Sequence, residues 1–100
     1  MAADLARAGL AAHRAGVTGL LHLTNQGETT WYELARTSVG LADLDPSRVS
    51  PCETGDYPAP ARRPAYSVLA SERLKSLGLD PLPHWRESIG ALVSELTTWI

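Results

Sequence analysis

Residues 19–33 read "GLLHLTNQGETTWYE", and the fold class turns on how they are divided. The first six are short, apolar and bounded by turn residues, which predicts a buried strand at 19–24. "NQGE", 25–28, supplies a turn. Thr30 and Glu33 then stand at capping-box spacing. The hydroxyl is placed to accept from the Glu33 backbone N–H, and the carboxylate to reach back. A helix is expected from there to about Gly40. A strand, a turn and a capped helix in succession suggest an α/β unit.

Working outward, "ADLARAGLAAHRA" at 3–15 is rich in good helix formers. Asp4 suits the positive end of its dipole, and Gly16 is placed to stop it in a left-handed cap. "DPS" at 45–47 is a turn, and "RVSPC" at 48–52 reads as a second short strand, with Pro51 favouring an edge. Residues 53–66 are irregular, with a glycine and three prolines. "SERLKSLG", 71–78, predicts a short helix capped by Ser71 and ended by Gly78. A last helix starts near His84, with Trp85, Ile89, Leu92, Val93 and Leu96 on one apolar face. Trp31 and Trp85 read as core anchors. The expected class is α/β, with about four helices and two or three short strands. Two parallel strands make a poor sheet alone, so the chain reads as the smaller lobe of a larger α/β protein.

One hundred residues suffice for a single small domain. A net charge of -2 offers no global field for nucleic acid or an anionic membrane, so any bound anion must be held locally. No apolar run approaches the roughly 18–20 residues of a membrane span. "MAADLARAGL" lacks the basic-then-apolar order of a secretory signal. A single cysteine, Cys52, excludes an internal disulfide and fits a reducing cytoplasm, with a buried inert thiol expected. His13, His22 and His84 lack metal-ligand spacing. They read as surface or capping groups, His22 partly buried. The acidic residues Asp43, Asp45, Glu53 and Asp56 lack the alternation of a calcium loop.

The glycines are dispersed, with no phosphate-cradling loop after a strand. Tyr32 and Arg36 stand four apart, yet arginine cannot take the compact, tunable role of a catalytic lysine. A packed tyrosine beside a solvated arginine is the better reading. The distinctive polar feature is "YPAPARRPAYSVL", 57–69. Pro58, Pro60 and Pro64 stiffen the backbone around Arg62 and Arg63. Adjacent side chains on extended backbone point opposite ways, so one guanidinium can face a ligand while the other faces solvent or a carboxylate. Guanidinium binds phosphate oxygens through paired N–H bonds, worth about 1.5–3 kcal/mol. Internal ion pairing of both arginines is the alternative.

Three segments in order, "LLHLTNQGETTWYELA" (20–35), "ARRPAYSVL" (61–69) and "LPHWRESIGALV" (82–93), resemble the C-terminal part of the dTDP-4-dehydrorhamnose reductase family. The resemblance covers nearly the whole chain. It implies a C-terminal substrate-binding domain spanning residues 1–100, with an N-terminal cofactor domain outside the chain. That domain would carry NADPH or NADH and the tyrosine–lysine pair. The implied reaction reduces dTDP-4-dehydro-6-deoxy-L-mannose to dTDP-L-rhamnose in the cytoplasm, and this lobe alone would not catalyse it.

The resemblance further implies that Arg62 or Arg63 contacts the diphosphate of a dTDP-sugar, with Tyr57 and Tyr66 flanking. Asn25 would lie at the loop edge near the ligand. Some family members bind Mg2+ at a subunit contact, for which Glu95 is the matching residue, and a homodimer is possible. Ala70 departs from the acidic residue the family often carries there. A non-enzymatic module reusing the fold, like the regulatory subunit of methionine adenosyltransferase, is the alternative. A lobe of a larger enzyme should expose apolar surface on the first helix and around 25–30 and 57–66.

Overall fold

The computed structural model describes residues 1–56 and 59–98. Four α-helices form among them: α1 (Ala2–Arg14), α2 (Trp31–Leu41), α3 (Glu72–Ser76) and α4 (Trp85–Thr98). Short 3-10 turns occupy Pro46–Arg48 and Thr54–Asp56.

The helix ends follow local chemistry. Gly16 takes φ +69° after α1. The Val17 N–H then bonds the Ala12 carbonyl at 3.1 Å, closing the α1 end. Gly78, φ +70°, does the same for α3, with the Leu79 N–H on the Leu74 carbonyl at 3.2 Å. Thr30 caps α2, its Oγ1 accepting from the Glu33 N–H at 3.1 Å. The return bond from the Glu33 carboxylate is absent among the described residues. Gly40 does not end α2. The helix runs to Leu41, and Asp43 takes the left-handed position at φ +59°, a conformation aspartate tolerates. Ser71 stands at the N-cap position of α3 without a side-chain capping bond.

The two expected strands do not form. Residues 19–25 run as irregular chain, and the only β-pairing among the described residues is a parallel bridge between Gln26 and His84. In it the Gln26 N–H bonds the Pro83 carbonyl and the Trp85 N–H bonds the Gln26 carbonyl, each at 3.0 Å. A strand requires a neighbour to fill its ladder, and no second strand is offered here. The stretch 48–52 fails for a local reason as well. Asp45 accepts from the Ser47 N–H, and Pro46 sits at the first helical position, so the chain curls into a 3-10 turn that includes Arg48. The domain is therefore mostly helical rather than α/β.

The buried apolar core is small: Ala12 of α1, Leu74 of α3, Leu82 before α4, and Trp85 and Ile89 of α4. α2 packs on α4 and on the turn Pro46–Arg48. Trp85 is a core anchor as expected, but Trp31 is 84% exposed. The α4 stripe is buried only in its first turns, and Leu92 and Leu96 are exposed. Cys52 is exposed too, within the exposed stretch 50–56.

The radius of gyration is 16.2 Å, against about 13 Å for a compact hundred-residue domain. The accessible surface is 8024 Å², whereas a folded monomer of this mass shows roughly 5,500 Å². Large apolar side chains are exposed on α1 (Leu5, Leu10), beside the 25–30 loop (Leu20, Trp31) and at Tyr66. They are exposed beyond the expected patch as well, at Leu41, Leu44, Leu77 and Leu96. No helix among the described residues is long and apolar enough to cross a membrane.

Candidate functional site

Loop 24–29 is held by three devices that originate far apart in sequence. The first is a polar chain. Asn25 Nδ2 donates to Ser88 Oγ at 2.8 Å, and Ser88 Oγ donates onward to Asp4 Oδ2 at 2.7 Å. Asn25 Nδ2 also donates to the Pro83 carbonyl at 3.1 Å, and Asn25 Oδ1 accepts from the Met1 amino group. Asp4 and Ser88 are buried. The Ser88 hydroxyl beside it holds the Asp4 carboxyl below its ordinary value, with Arg7 assisting and burial opposing. One hydrogen-bonded line thus joins α1, the loop and α4.

The second device is Gly27. Its φ is +77°, and a Cβ there would lie 2.3 Å from His84 Nε2. Only glycine permits both the backbone and the approach. His84 Nδ1 meanwhile accepts from the Arg86 N–H at 3.2 Å at the start of α4, and Arg86 lies over the Trp85 ring, 4.6 Å from its centroid. The third is Arg73 of α3. Its guanidinium donates to the Leu20 carbonyl at 2.8 Å and the Thr18 carbonyl at 2.7 Å. This fork fastens the approach to the loop where a sheet ladder would otherwise do so.

Opposite the loop runs the segment 67–72, and between them lie two adjoining open clefts, of about 230 Å³ beside Ser67 and about 290 Å³ toward Lys75. In the first, one wall is Thr24, Asn25, Gly27, Glu28 and Thr29; the other is Ser67, Val68 and Leu69. The second continues past Ala70 and Ser71 to Glu72 and Lys75 of α3. Tyr66, the residue before Ser67, is tied to the loop wall, its phenol donating to Glu28 Oε2 at 2.6 Å. The Glu28 carboxylate pushes the Tyr66 phenol above its ordinary value, through the hydrogen bond first and then through its charge.

Asn25 lines this cleft, but both its amide hydrogens are committed to Pro83 and Ser88. Arg62 and Arg63 are exposed on the chain entering the wall segment. Among the described residues neither makes an ion pair or a side-chain hydrogen bond; both ion pairs found there belong to Asp4. Tyr57 lies outside the described residues. Glu95 is exposed on α4. No three acidic, histidine or cysteine side chains gather as a metal site among the described residues, so Glu95 would need ligands from elsewhere. Nor do these residues fit a dinucleotide. The left-handed glycines Gly16 and Gly78 end helices, while Gly19 and Gly27 lie in the 17–30 connection, with no strand before them.

Sequence reasoning missed Gly27, Glu28, Arg73 and Lys75. Gly27 carried a signal as the glycine of the "NQGE" turn, while Glu28, Arg73 and Lys75 looked like ordinary surface charges.

The family model described as the RmlD substrate binding domain matches residues 1–98. A probable dTDP-4,6-dihydroxy-2-methyloxan-3-one 4-ketoreductase of Streptomyces antibioticus is 49% identical over 74% of this chain and 25% of its own length. A dTDP-4-dehydrorhamnose reductase of Mycolicibacterium smegmatis is 42% identical over 71% of the chain and 22% of its own. One from Mycobacterium tuberculosis is 40% identical over 92% of the chain and 31% of its own. The chain therefore spans about a fifth to a third of the length of the curated relatives it matches. No solved structure gives a significant match.

Proposed function

The chain belongs to the RmlD substrate-binding domain family, and from that premise we propose that it is the sugar-nucleotide-binding lobe of a dTDP-4-dehydrorhamnose reductase. Its substrate is dTDP-4-dehydro-6-deoxy-L-mannose. An N-terminal cofactor domain completes the enzyme in the cytoplasm. NADPH or NADH bound there supplies the hydride. This chain contributes binding and orientation, and no catalytic group.

The observation that carries the reading is the free pair Arg62 and Arg63. Both guanidiniums are exposed and have no carboxylate partner among the described residues. Both lead into the segment that forms one wall of the cleft. Always charged and forked, either suits a diphosphate. Asn25 serves the site by fixing the loop that forms the other wall. The surface of 8024 Å² supports docking against a further domain, since inter-domain faces take roughly 600–1,500 Å². Glu95 is assigned to a Mg2+ contact only where a second subunit brings carboxylates to it.

Titration of the chain with dTDP, followed by amide chemical shifts, tests this. Shifts should concentrate at 61–70 and in the 24–29 loop. Arg62→Ala or Arg63→Ala should weaken binding by roughly tenfold to a hundredfold, the worth of a charged hydrogen bond. If neither variant changes the affinity, the diphosphate role is wrong. NAD(P)H oxidation by the purified chain alone would refute the division of labour.

A further inference from the structure

We propose that Glu28 and Tyr66 form a clasp across the cleft that reads a sugar hydroxyl of the bound nucleotide sugar, with Glu28 accepting the hydrogen bond. The inference rests on the reading of this cleft as a sugar-nucleotide site, and adds the group that recognises the sugar.

The geometry comes first. Glu28 lines the loop wall, and Tyr66 immediately precedes Ser67 of the opposite wall. Their 2.6 Å hydrogen bond joins residues 38 apart in sequence. Tyr66 is 70% exposed and Glu28 is exposed, so the contact is not a requirement of the core. It ties one wall of an open cleft to the chain that leads directly into the other.

The chemistry then selects the ligand group. An ionised carboxylate only accepts hydrogen bonds. Tyr66 occupies one site on Oε2, and Oε1 has no partner among the described residues. A phosphate brings negative charge and no hydrogen to share, so it is repelled here and belongs nearer Lys75, Arg62 or Arg63. A thymine edge presents one N–H between two carbonyls, and would need donors on both sides of the carboxylate. A sugar hydroxyl can donate to Glu28 while accepting from a neighbouring hydroxyl, and Thr24 and Ser67 place such groups on the cleft walls.

The test compares dTDP with dTDP-L-rhamnose as ligands of the hundred-residue chain, unaltered and as Glu28→Gln and Tyr66→Phe. The unaltered chain should bind the sugar-bearing ligand more tightly than dTDP. Glu28→Gln should remove about tenfold of that advantage, as expected for a hydrogen bond to a charged acceptor, without weakening dTDP binding, because it removes a negative charge from the cleft that holds the phosphates. Tyr66→Phe, which loosens the carboxylate without removing it, should cost a smaller factor in the same ligand only. An undiminished sugar advantage in Glu28→Gln overturns the clasp while leaving the lobe reading intact. Equal weakening of dTDP and the dTDP-sugar also overturns it, because Glu28 would then act on the shared nucleotide. Failure of the unaltered chain to bind either ligand overturns the lobe reading and the clasp together. A ligand-independent check is the Tyr66 ring titration by NMR. It should fall toward the ordinary phenol value in Glu28→Gln, and no movement means the clasp does not form.

Discussion

Replacing Gly27 with alanine isolates the contact that fixes the cleft loop to α4. At φ +77° a Cβ costs about 1–2 kcal/mol from backbone sterics alone. The same Cβ would sit 2.3 Å from Nε2 and 2.8 Å from Cδ2 of His84. The imidazole must therefore swing away. It then gives up the Arg86 N–H on Nδ1, a capping contact worth about 1 kcal/mol. It also gives up its place beside the Trp85 ring, 5.7 Å between centroids and worth about 0.5–1.5 kcal/mol. The sum is about 2.5–4.5 kcal/mol, a large share of the roughly 5–15 kcal/mol of a small domain. Melting followed by circular dichroism should show a fall of roughly 10–35 °C, at about 4–8 °C per kcal/mol.

Gly16→Ala is the control. Its φ is +69°, but nothing lies within 4 Å of the added carbon, so only the backbone cost applies. A double-mutant cycle sharpens the comparison. In a His84→Ala background the Gly27→Ala change should cost only the backbone share, leaving a coupling of about 1.5–2.5 kcal/mol. Equal losses for Gly27→Ala and Gly16→Ala, or strict additivity with His84→Ala, would show that the imidazole does not hold the loop.

Two further outcomes follow from the same network. Arg73→Gln removes the fork on the Thr18 and Leu20 carbonyls and should cost about 1–2 kcal/mol. Amide exchange should quicken in residues 17–21 before it quickens in α4, and uniform quickening would contradict a local clamp. Asp4 has a depressed carboxyl pKa when folded, so its stabilisation is present above the ordinary value of 3.8 and is lost as pH falls below it. The urea midpoint should drop between about pH 5 and pH 2, and Asp4→Asn should flatten part of that drop. The remainder belongs in part to Asp45, lowered by the Ser47 hydroxyl and backbone N–H.

The helices and their ends were legible because capping and termination are local. Thr30 with Glu33, Gly16 and Gly78 act through bonds to residues a turn or less away. The family, too, was legible, since three short segments in order carry it. What failed was whatever depended on a distant partner. "GLLHLT" has a strand's composition, but a strand exists only beside another, and here its neighbours are a guanidinium fork and a single bridge. Trp31 and Trp85 look alike as apolar helix residues, yet one is 84% exposed and the other 7%. Position along a helix does not say which turns meet a neighbour.

The sequence alone thus determined where helices begin and stop, and that two adjacent guanidiniums sit on proline-stiffened backbone. Only the tertiary structure decided that loop 24–29 faces segment 67–72, that Gly27 must yield to His84, and that Tyr66 reaches Glu28. Capping energies are set by the nearest few residues, whereas a cleft is set by contacts between segments about forty residues apart, for which no local pattern is required.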